Sequence, residues 1–399
     1  MSRWNVHVRS FRRPGEIESA LHAVDVDPGG VGLMSPKAEH YVITAKSVDV
    51  RAANLVKQEM LALGGDSANS RGTIDFSDKT TDLLLMGTLK MFRQLAKKLK
   101  AQPFHLTELG EEILAAVERS RGVPPPLRLG TGALEFGGRT YVMGILNVTP
   151  DSFSDGGKFL DVDSATDQAR RMVAEGADLI DLGGESTRPG SQRLGADEEL
   201  RRVLPVLERI RGLGVPISID TSKADVAGKA IELGATMVND ITALQADPLM
   251  AKVVADRGVP VVLMHMQGTP ETMQVEPTYR DPVPEILRFL RDRIAHATAA
   301  GIATDRIVVD PGIGFGKSSD HNVAILRRLR EFRSLGHPVL IGLSRKGFIG
   351  KILEADVNDR LEGTIAAGVA AVLDGADIVR VHDVLPHVRA LRVADRLLR

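Results

Sequence analysis

Hydrophobic and polar positions follow a repeating pattern over the last two thirds of the chain. A helical pattern ends at a glycine, a short apolar strand follows, and a polar residue closes the strand. Glycine suits the first place because helices often end on a left-handed residue that lacks a clashing side chain. The glycines are Gly176, Gly214, Gly234, Gly258, Gly301, Gly336 and Gly375. The polar residues that close the strands are Asn147, Asp181, Asp220, Asn239 with Asp240, His265, Asp310, Ser344, and Arg380 with His382.

This pattern predicts an α/β fold with eight strand–helix units. Strand–helix alternation over roughly 250 residues is typical of a closed (β/α)8 TIM barrel, whose active site lies at the carboxyl ends of the strands. A doubly wound open sheet is the alternative, but the first unit lacks the Gly-x-Gly-x-x-Gly sequence typical of that fold. The first strand ends in GILNVTPDSFSDGG at 144–157, where an apolar run changes into a polar loop containing glycine and proline. We therefore expect chemistry at that loop and at the other strand ends.

The first part of the chain has a different pattern. Val123 and the three prolines after it predict an extended segment, because proline fixes its own φ and restricts the residue before it. We predict a smaller α/β or α+β domain over 1–123, a Pro-rich linker over 124–133 and the barrel over 134–399. In the N-terminal domain, the pattern predicts strands at Tyr41–Ala45 and Leu83–Met86 and a polar loop at Asp66–Gly72. It also predicts helices at Val50–Leu63, Thr88–Leu99 and Leu106–Arg119, the last with Thr107 as N-cap.

A hairpin is predicted just after the linker. Gly137-Gly138 lies between two short strand-like segments, which is a two-residue hairpin signal. It would sit at the amino-terminal end of the barrel, opposite the chemistry. We therefore expect the N-terminal domain to act in assembly or regulation. The alternative is that it covers the mouth of its own or a neighbouring barrel through the loop at Asp66–Gly72.

Composition excludes several classes of protein. The formal net charge is −1, so bulk electrostatics give no sign of a nucleic-acid or anionic-membrane binder. The chain has no cysteine, which excludes thiolate nucleophiles, cysteine-bound zinc and disulfides. No apolar run is long enough to cross a bilayer. We expect a soluble, cytoplasmic protein that acts on small molecules.

The polar strand ends supply a mixed set of donors and acceptors. Asp220, Asn239 and Asp310 offer acceptors, and Lys346 offers a cation just beyond a buried strand. Such a set suits a flat heterocycle with both N–H donors and carbonyl or ring-nitrogen acceptors. Arg380 and His382 alternate on one strand and point the same way, which suits an anion. Each residue alone has a structural explanation, such as a helix cap or turn, but together they predict a binding site.

Eight motifs then identify a family. In order they are GILNVTPDSFSDGG, IDLGGESTRPG, SIDTSK, MVNDI, LMHMQG, DPGIGFGK, GLSRKGFIG and RVHDV. They resemble those of the dihydropteroate synthases, which are pterin-binding TIM barrels. The resemblance covers about residue 134 to the C-terminus and leaves the N-terminal domain outside. It implies that 6-hydroxymethyl-7,8-dihydropterin diphosphate is joined to 4-aminobenzoate, giving 7,8-dihydropteroate and pyrophosphate.

The resemblance also implies roles for single residues. Asp220, Lys346 and Asp310 are implied as catalytic, and Asp220 would stabilise a pterin cation. Those implied to bind the pterin are Asp220, Asn239, Met264, Asp310, Phe315 and Lys346. Those implied to bind the diphosphate are Asn147, which would also hold Mg²⁺, Arg380 and His382. Those implied to bind 4-aminobenzoate are Phe153, Thr187, Arg188, Pro189 and Ser344.

Three other functions stay open at this point. A methyltransferase acting on a methylated reduced folate would share the barrel, although it would have no use for a diphosphate site. A non-catalytic pterin-binding module would not need the loop at Thr187–Pro189. A synthase could also use another arylamine. A homodimer through the barrel domain is expected, with no nucleic-acid or membrane partner.

Overall fold

The chain divides into two units, Met1–Gly122 and Val123–Arg399. A computed structural model describes residues 4, 6–11, 15–130, 132–148, 158–186, 194–273 and 275–398. None of the helices in these ranges is long and apolar enough to cross a membrane.

The N-terminal unit is a three-stranded antiparallel sheet packed against helices. Its helices are α1 (Glu16–Ala23), α2 (Pro28–Ala38), α3 (Val50–Ala62), α4 (Leu89–Leu99) and α5 (Leu106–Arg121). Its strands are β1 (His40–Asp49), β2 (Asp66–Ala68) and β3 (Thr80–Thr88), in the order β1-β3-β2. Apolar residues of α3, α4 and β3, among them Val56, Phe92 and Leu85, are fully buried in one core. The predicted strands and helices of this unit therefore form, with somewhat longer strands.

Two details of the N-terminal prediction were wrong. His105, not Thr107, precedes α5, and Thr107 lies inside the helix, where its hydroxyl donates to the carbonyl of Lys100 at 3.3 Å. The first three residues of the predicted polar loop form β2, whose backbone pairs with β3 at Met86. Ser67 is buried in that strand, and three residues are too few for a period-two pattern to stand out in the sequence.

The hairpin before the barrel lies earlier than predicted. Strands β4 (Leu127–Leu129) and β5 (Gly132–Leu134) pair antiparallel, whereas Gly137 and Gly138 lie in a loop. The hairpin therefore occupies most of the predicted linker 124–133. Its apolar residues pack against residues at the start of the barrel strands, including Tyr141, Met143 and Ile378. Burial against the bottom of the barrel explains why pairing occurs here and not around the two glycines.

The second unit is the predicted (β/α)8 barrel. Its strands are β6 (Tyr141–Asn147), β7 (Leu179–Gly183), β8 (Ile217–Asp220), β9 (Met237–Asp240), β10 (Val261–Met264), β11 (Ile307–Asp310), β12 (Leu340–Gly342) and β13 (Ile378–Val381). Its helices are α6 (Lys158–Ala174), α7 (Ala196–Ile210), α8 (Ala224–Leu233), α9 (Met250–Arg257), α10 (Pro282–Ala299), α11 (Ser319–Arg327), α12 (Gly347–Leu353), α13 (Leu361–Leu373) and α14 (Val384–Leu398).

All eight strands are parallel and lie in one sheet of order β11-β10-β9-β8-β7-β6-β13-β12. A parallel bridge between Val309 and Val339 joins the two end strands and closes the barrel. The seven glycines predicted to end helices all have positive φ, from 60° to 124°. Most predicted strand ends are correct, but Asp181 lies two residues before the end of β7 and Ser344 lies two residues after β12. The carboxyl ends of the strands therefore bring the predicted polar residues to one rim.

Candidate active site

Arg380 is the centre of a charged cluster inside the rim. Its Nε donates to Asp181 Oδ2 at 2.6 Å, and its Nη2 donates to Asp220 Oδ2 at 2.7 Å. Asp181 is fully buried, and the Arg380 side chain is only 20% exposed. Three buried charges from three strands are therefore held together by charge-assisted hydrogen bonds, which are stronger than neutral ones.

Asp220 is shifted toward its neutral form. Burial and the negative charge of Asp181 raise the pKa of Asp220 to about 7, although Arg380 acts in the opposite direction. Two carboxylates that share one guanidinium cannot both be fully compensated. Asp220 is therefore a buried acid that titrates near neutral pH, which is typical of groups at functional sites.

Asn239 and Asp240 have different roles, although they are adjacent at the end of β9. The amide Nδ2 of Asn239 donates to Asp181 Oδ2 at 2.9 Å and so joins the charged cluster. Asp240 instead accepts backbone N–H groups from Thr242 and Leu244, both at 2.8 Å. Asp240 is a turn residue, and Asn239 is the member of the pair that faces the site.

Asp310 and Lys346 form the second part of the site. Asp310 Oδ1 accepts the backbone N–H of Gly312 at 2.7 Å, and burial raises its pKa to about 6. Burial, together with the charge of Arg380, lowers the pKa of Lys346 to about 8. Lys346 Nζ lies 4.2 Å from the centroid of the Phe315 ring. An acceptor, a cation and an aromatic face therefore lie on neighbouring parts of the rim.

The loop after β11 approaches the loop after β10 closely. Gly312 and Gly316 both have positive φ. A Cβ at Gly312 would lie 1.9 Å from the carbonyl oxygen of His265, and one at Gly316 would lie 2.3 Å from that of Gln267. Only glycine fits this contact, so the glycines of DPGIGFGK fix the position of Phe315 relative to β10. Met264, the last residue of β10, is 3% exposed.

Ser344 and His382 are directly linked. The backbone N–H of His382 donates to Ser344 Oγ at 3.2 Å, and its ring Nδ1 lies 2.9 Å from the same oxygen. Ser344 was predicted on the 4-aminobenzoate side and His382 on the diphosphate side. These two predicted sub-sites therefore share a hydrogen bond.

Two buried networks were not singled out from the sequence. Lys317 Nζ contacts the ring Nδ1 and the carbonyl oxygen of His265 at 3.0 and 3.2 Å. Lys223, in SIDTSK, pairs with Glu185 and with the fully buried Glu199, the latter at 2.6 Å. The sequence signal for either lysine is its place as the last residue of a motif that begins in or at the end of a strand, DPGIGFGK for Lys317 and SIDTSK for Lys223. Asp181 was noted as a strand end but not as a site residue.

The remaining predicted residues have different outcomes. Asn147 ends β6, and an added Cβ at Gly183 would lie 3.5 Å from both Asn147 Oδ1 and Asp220 Cβ. Asn147 and Asp220 therefore flank Gly183 on the two strands next to β7. Four residues predicted to bind 4-aminobenzoate lie outside the described residues: Phe153, Thr187, Arg188 and Pro189.

The described part of the chain contains no group of three or more His, Asp or Glu side chains that could hold a metal ion. Asn147 offers one amide oxygen, which is a ligand that Mg²⁺ accepts, and Mg²⁺ is often held by few protein ligands plus substrate phosphates. The residues therefore fit an ion that arrives with a phosphorylated substrate. As a whole, the rim can bind a flat polar heterocycle beside an anion.

Comparisons with known proteins identify relatives of both units. The family described as pterin binding enzyme matches residues 143–382. A dihydropteroate synthase of Synechocystis is 47% identical over 278 residues, covering 69% of this chain and 96% of that protein. A solved dihydropteroate synthase from Clostridium difficile, in the presence of pteroic acid, is 50% identical with a TM-score of 0.64, covering 67% of this chain and 99% of the other.

A relative of a different kind also matches the N-terminal unit. A probable bifunctional folylpolyglutamate synthase/dihydropteroate synthase of Halobacterium salinarum is 41% identical over 385 residues, which is 95% of this chain. The match spans only 46% of that protein. The N-terminal unit is therefore shared with this relative, whereas the Synechocystis protein matches a part of the chain no longer than the barrel unit.

Proposed function

The chain belongs to the dihydropteroate synthases of the pterin-binding enzyme family, and from that premise we propose how its residues perform the reaction. The reaction joins 6-hydroxymethyl-7,8-dihydropterin diphosphate to 4-aminobenzoate and releases pyrophosphate. The observation that carries the proposal is the group of four charged side chains, Asp220, Asp310, Lys346 and Arg380, which are buried or partly buried at the carboxyl ends of the barrel strands. Burying so many charges is costly unless a ligand or partner uses them.

The pterin binds within the ring of acceptors and donors. Asp310 and Asn239 face the edge of the heterocycle, where a carboxylate accepts from a ring N–H and an exocyclic amine together. Lys346 donates to the ring carbonyl. Met264 and Phe315 pack against the faces of the ring, a role supported by the burial of Met264 and by the contact of Phe315 with Lys346.

Arg380 and His382 bind the diphosphate. Within the described ranges, Arg380 uses Nε and one N–H of Nη2 in its bonds to Asp181 and Asp220, so its other N–H groups can donate to phosphate oxygens without breaking the cluster. The amide oxygen of Asn147 would hold Mg²⁺ on the diphosphate. That ion, when bound, neutralises negative charge that grows on the leaving group.

4-Aminobenzoate binds on the outer side of the rim. Ser344 faces its carboxylate, supported by its position two residues beyond β12 and its bond to His382. Phe153, Thr187, Arg188 and Pro189, from the first two loops, complete the arylamine site. Closure of these loops excludes water, which would otherwise react with the pterin cation.

The bond between the exocyclic methylene carbon and the diphosphate oxygen breaks first. The diphosphate leaves with the electron pair, and the methylene becomes a cation conjugated with the pterin. The arylamine nitrogen then attacks this carbon and loses a proton. Asp220 stabilises the cation through its charge and does not transfer a proton, because a preorganised charge in a site of low dielectric is the larger effect.

Pyrophosphate release tests this function. The protein is incubated with the pterin diphosphate and Mg²⁺, with and without 4-aminobenzoate. Release that depends on the arylamine is expected. Tight pterin binding without release would instead indicate a binding module, and release with a different arylamine would indicate a modified product.

We also propose that the barrel unit forms a homodimer. Its last helices expose large apolar side chains, including Ile352 on α12 and Val393 and Leu397 on α14. A second copy covering this face would remove apolar surface from water. The oligomeric mass of the purified protein, measured by light scattering, tests this. The cytoplasmic location expected from the sequence stays a prediction.

A further inference from the structure

Lys317 is a buried cation that the mechanism above does not use. It is 3% exposed and ends the DPGIGFGK motif. Its Nζ lies 2.8 Å from the carbonyl oxygen of Phe315, 3.0 Å from His265 Nδ1 and 3.2 Å from the carbonyl oxygen of His265. An ammonium has three N–H donors and no acceptor, so these three partners satisfy it. None of the three is a carboxylate, and the opposite charge that acts on Lys317 is that of Asp310, which is not one of these hydrogen-bond partners.

The contact with Lys317 also fixes the state of His265. Burial lowers the pKa of Lys317 to about 7, although the charge of Asp310 acts in the opposite direction. In its protonated form Lys317 cannot accept a hydrogen bond, so His265 Nδ1 then offers its lone pair and the ring is neutral. Burial and the charge of Lys317 lower the pKa of His265 to about 3. The ring is further held edge-on against Phe289, with centroids 4.8 Å apart. His265 is therefore a neutral ring that is held in place by Lys317 and Phe289.

The three partners of Lys317 lie on the two segments that carry the proposed pterin-stacking residues. His265 directly follows Met264 at the end of β10, and Phe315 lies in the loop after β11. The two glycines let the backbones of these segments approach closely, and Lys317 donates to a carbonyl of each segment. The position of the Phe315 ring in turn determines what Lys346 Nζ packs against.

We propose that Lys317 is a positioning residue for the pterin: its ammonium ties the backbone after β10 to the loop after β11 and so sets the spacing between Met264 and Phe315. This rests on the proposed function, in which these two residues pack against the ring. Lys317 does not touch the substrate, so its effect is on pterin binding and only weakly on 4-aminobenzoate.

The test compares two variants, Lys317→Met and Arg333→Met. Arg333 is a second cation that donates to a backbone carbonyl, but at the other end of the barrel. Arg333 Nη1 donates to the carbonyl of Gly375, just before β13, and lies 3.5 Å from Asp377 Oδ1. Arg333→Met therefore also removes a mostly buried cation that donates to backbone, although this one is paired with a carboxylate and lies at the amino-terminal end of the strands. Both variants are expected to lower the melting temperature. Only Lys317→Met is expected to raise KM for the pterin diphosphate, by about 10- to 100-fold, because small displacements of positioning groups have effects of this size.

One further measurement and two further variants separate a positioning role of Lys317 from a merely structural one. KM for 4-aminobenzoate is expected to change less than about threefold in Lys317→Met, because Lys317 bonds to the segments after β10 and β11, whereas the residues proposed to bind the arylamine follow β6, β7 and β12. Lys317→Arg keeps the charge and the donors and is expected to recover part of the pterin affinity. If Lys317→Met does not fold, Lys317→Gln, which is neutral but still donates, replaces it with the same expected direction.

An unchanged KM for the pterin diphosphate in a folded Lys317 variant, with a lower melting temperature alone, would overturn the proposal. So would equal rises in KM for both substrates. Failure of the proposed function has a different signature, because the unmodified protein would then release no arylamine-dependent pyrophosphate.

Discussion

The two units of the chain differ in how deeply their charged side chains are buried and in how many large apolar side chains they expose. In the N-terminal unit the ion pairs are mostly exposed, as in the pair of Lys46 and Asp82, where both side chains are 56% exposed. The barrel also has exposed ion pairs, such as that of Asp225 and Lys229, but in addition Arg380, Asp181 and Asp220 form a network of two ion pairs that is mostly buried. Exposed ion pairs contribute little to stability, whereas buried ones are costly and persist where a site needs them. The contrast locates the chemistry in the barrel.

The two units also differ in the number of large apolar side chains that they expose to solvent. Among the described residues, the N-terminal unit exposes more large apolar side chains than the barrel unit, although it is the shorter of the two. Val42 on β1 and Leu84 on β3 lie on adjacent strands and are 59% and 40% exposed. Exposed apolar surface of this kind is typical of a contact with another surface. This supports an assembly role for the N-terminal unit and catalysis in the barrel.

Asp220→Asn is the change with the largest expected effect on the barrel. It keeps the shape of the side chain but removes the charge that stabilises the pterin cation, so kcat is expected to fall about 10²- to 10³-fold. Steady-state release of pyrophosphate measures this. Asp225→Asn is the matched control, because Asp225 pairs with Lys229 on the surface of α8 and is 55% exposed. Near-normal turnover in folded Asp220→Asn would remove Asp220 from the mechanism.

The pH dependence of the reaction tests the buried charges together. Asp220 and Asp310 must be ionised, and their pKa values are raised to about 7 and about 6. Lys346 must be protonated, and its pKa is lowered to about 8. kcat/KM for the pterin diphosphate is therefore expected to fall below about pH 7 and above about pH 8, giving a bell-shaped profile. A flat profile from pH 6 to 9 would contradict the assigned protonation states.

Sulfonamides test the arylamine side of the barrel. Their aryl amine and anionic end resemble 4-aminobenzoate, so competitive inhibition is expected. Substitutions at Phe153, Thr187 or Pro189 should raise the inhibition constant more than KM for 4-aminobenzoate, if the drug extends beyond the outline of the substrate. Inhibition assays at several concentrations of 4-aminobenzoate measure both constants. Equal losses for the two ligands would mean that these residues contact only the shared part.

The sequence predicted the barrel well because its pattern repeats. Eight copies of one strand–helix unit average out local errors, and the polar ends of parallel strands must share one rim. The hairpin at Leu127–Leu134 was misplaced because its position depends on burial against the bottom of the barrel, a contact that no local pattern records. The N-terminal elements were recovered with wrong details at Thr107 and at β2, since caps and three-residue strands have weak signals.

The chemistry of the site was only partly predictable. The strand ends placed Asp220, Asp310 and Lys346 in one region, and the structure adds the partners that determine their charge. The bond of Arg380 to Asp181 depends on the register of two strands that lie far apart in sequence. Likewise, Lys317 meets His265 only because two glycines let the loops approach. Contacts of this kind follow from tertiary packing, and the distance between the two partners along the sequence does not predict them.

Removal of the N-terminal unit is the change with the smallest expected effect on kinetics, and it tests the comparison most directly. A shortened protein beginning at Leu127 keeps the hairpin that packs against the bottom of the barrel, together with every described residue of the proposed site. KM for both substrates is expected to stay within about twofold, while the oligomeric mass or the melting temperature falls. Steady-state kinetics, light scattering and calorimetry on both proteins give these quantities. A large rise in either KM, in a shortened protein that is folded, would show that the N-terminal unit belongs to the active site of its own or a neighbouring barrel, and the separation of roles argued here would then be wrong.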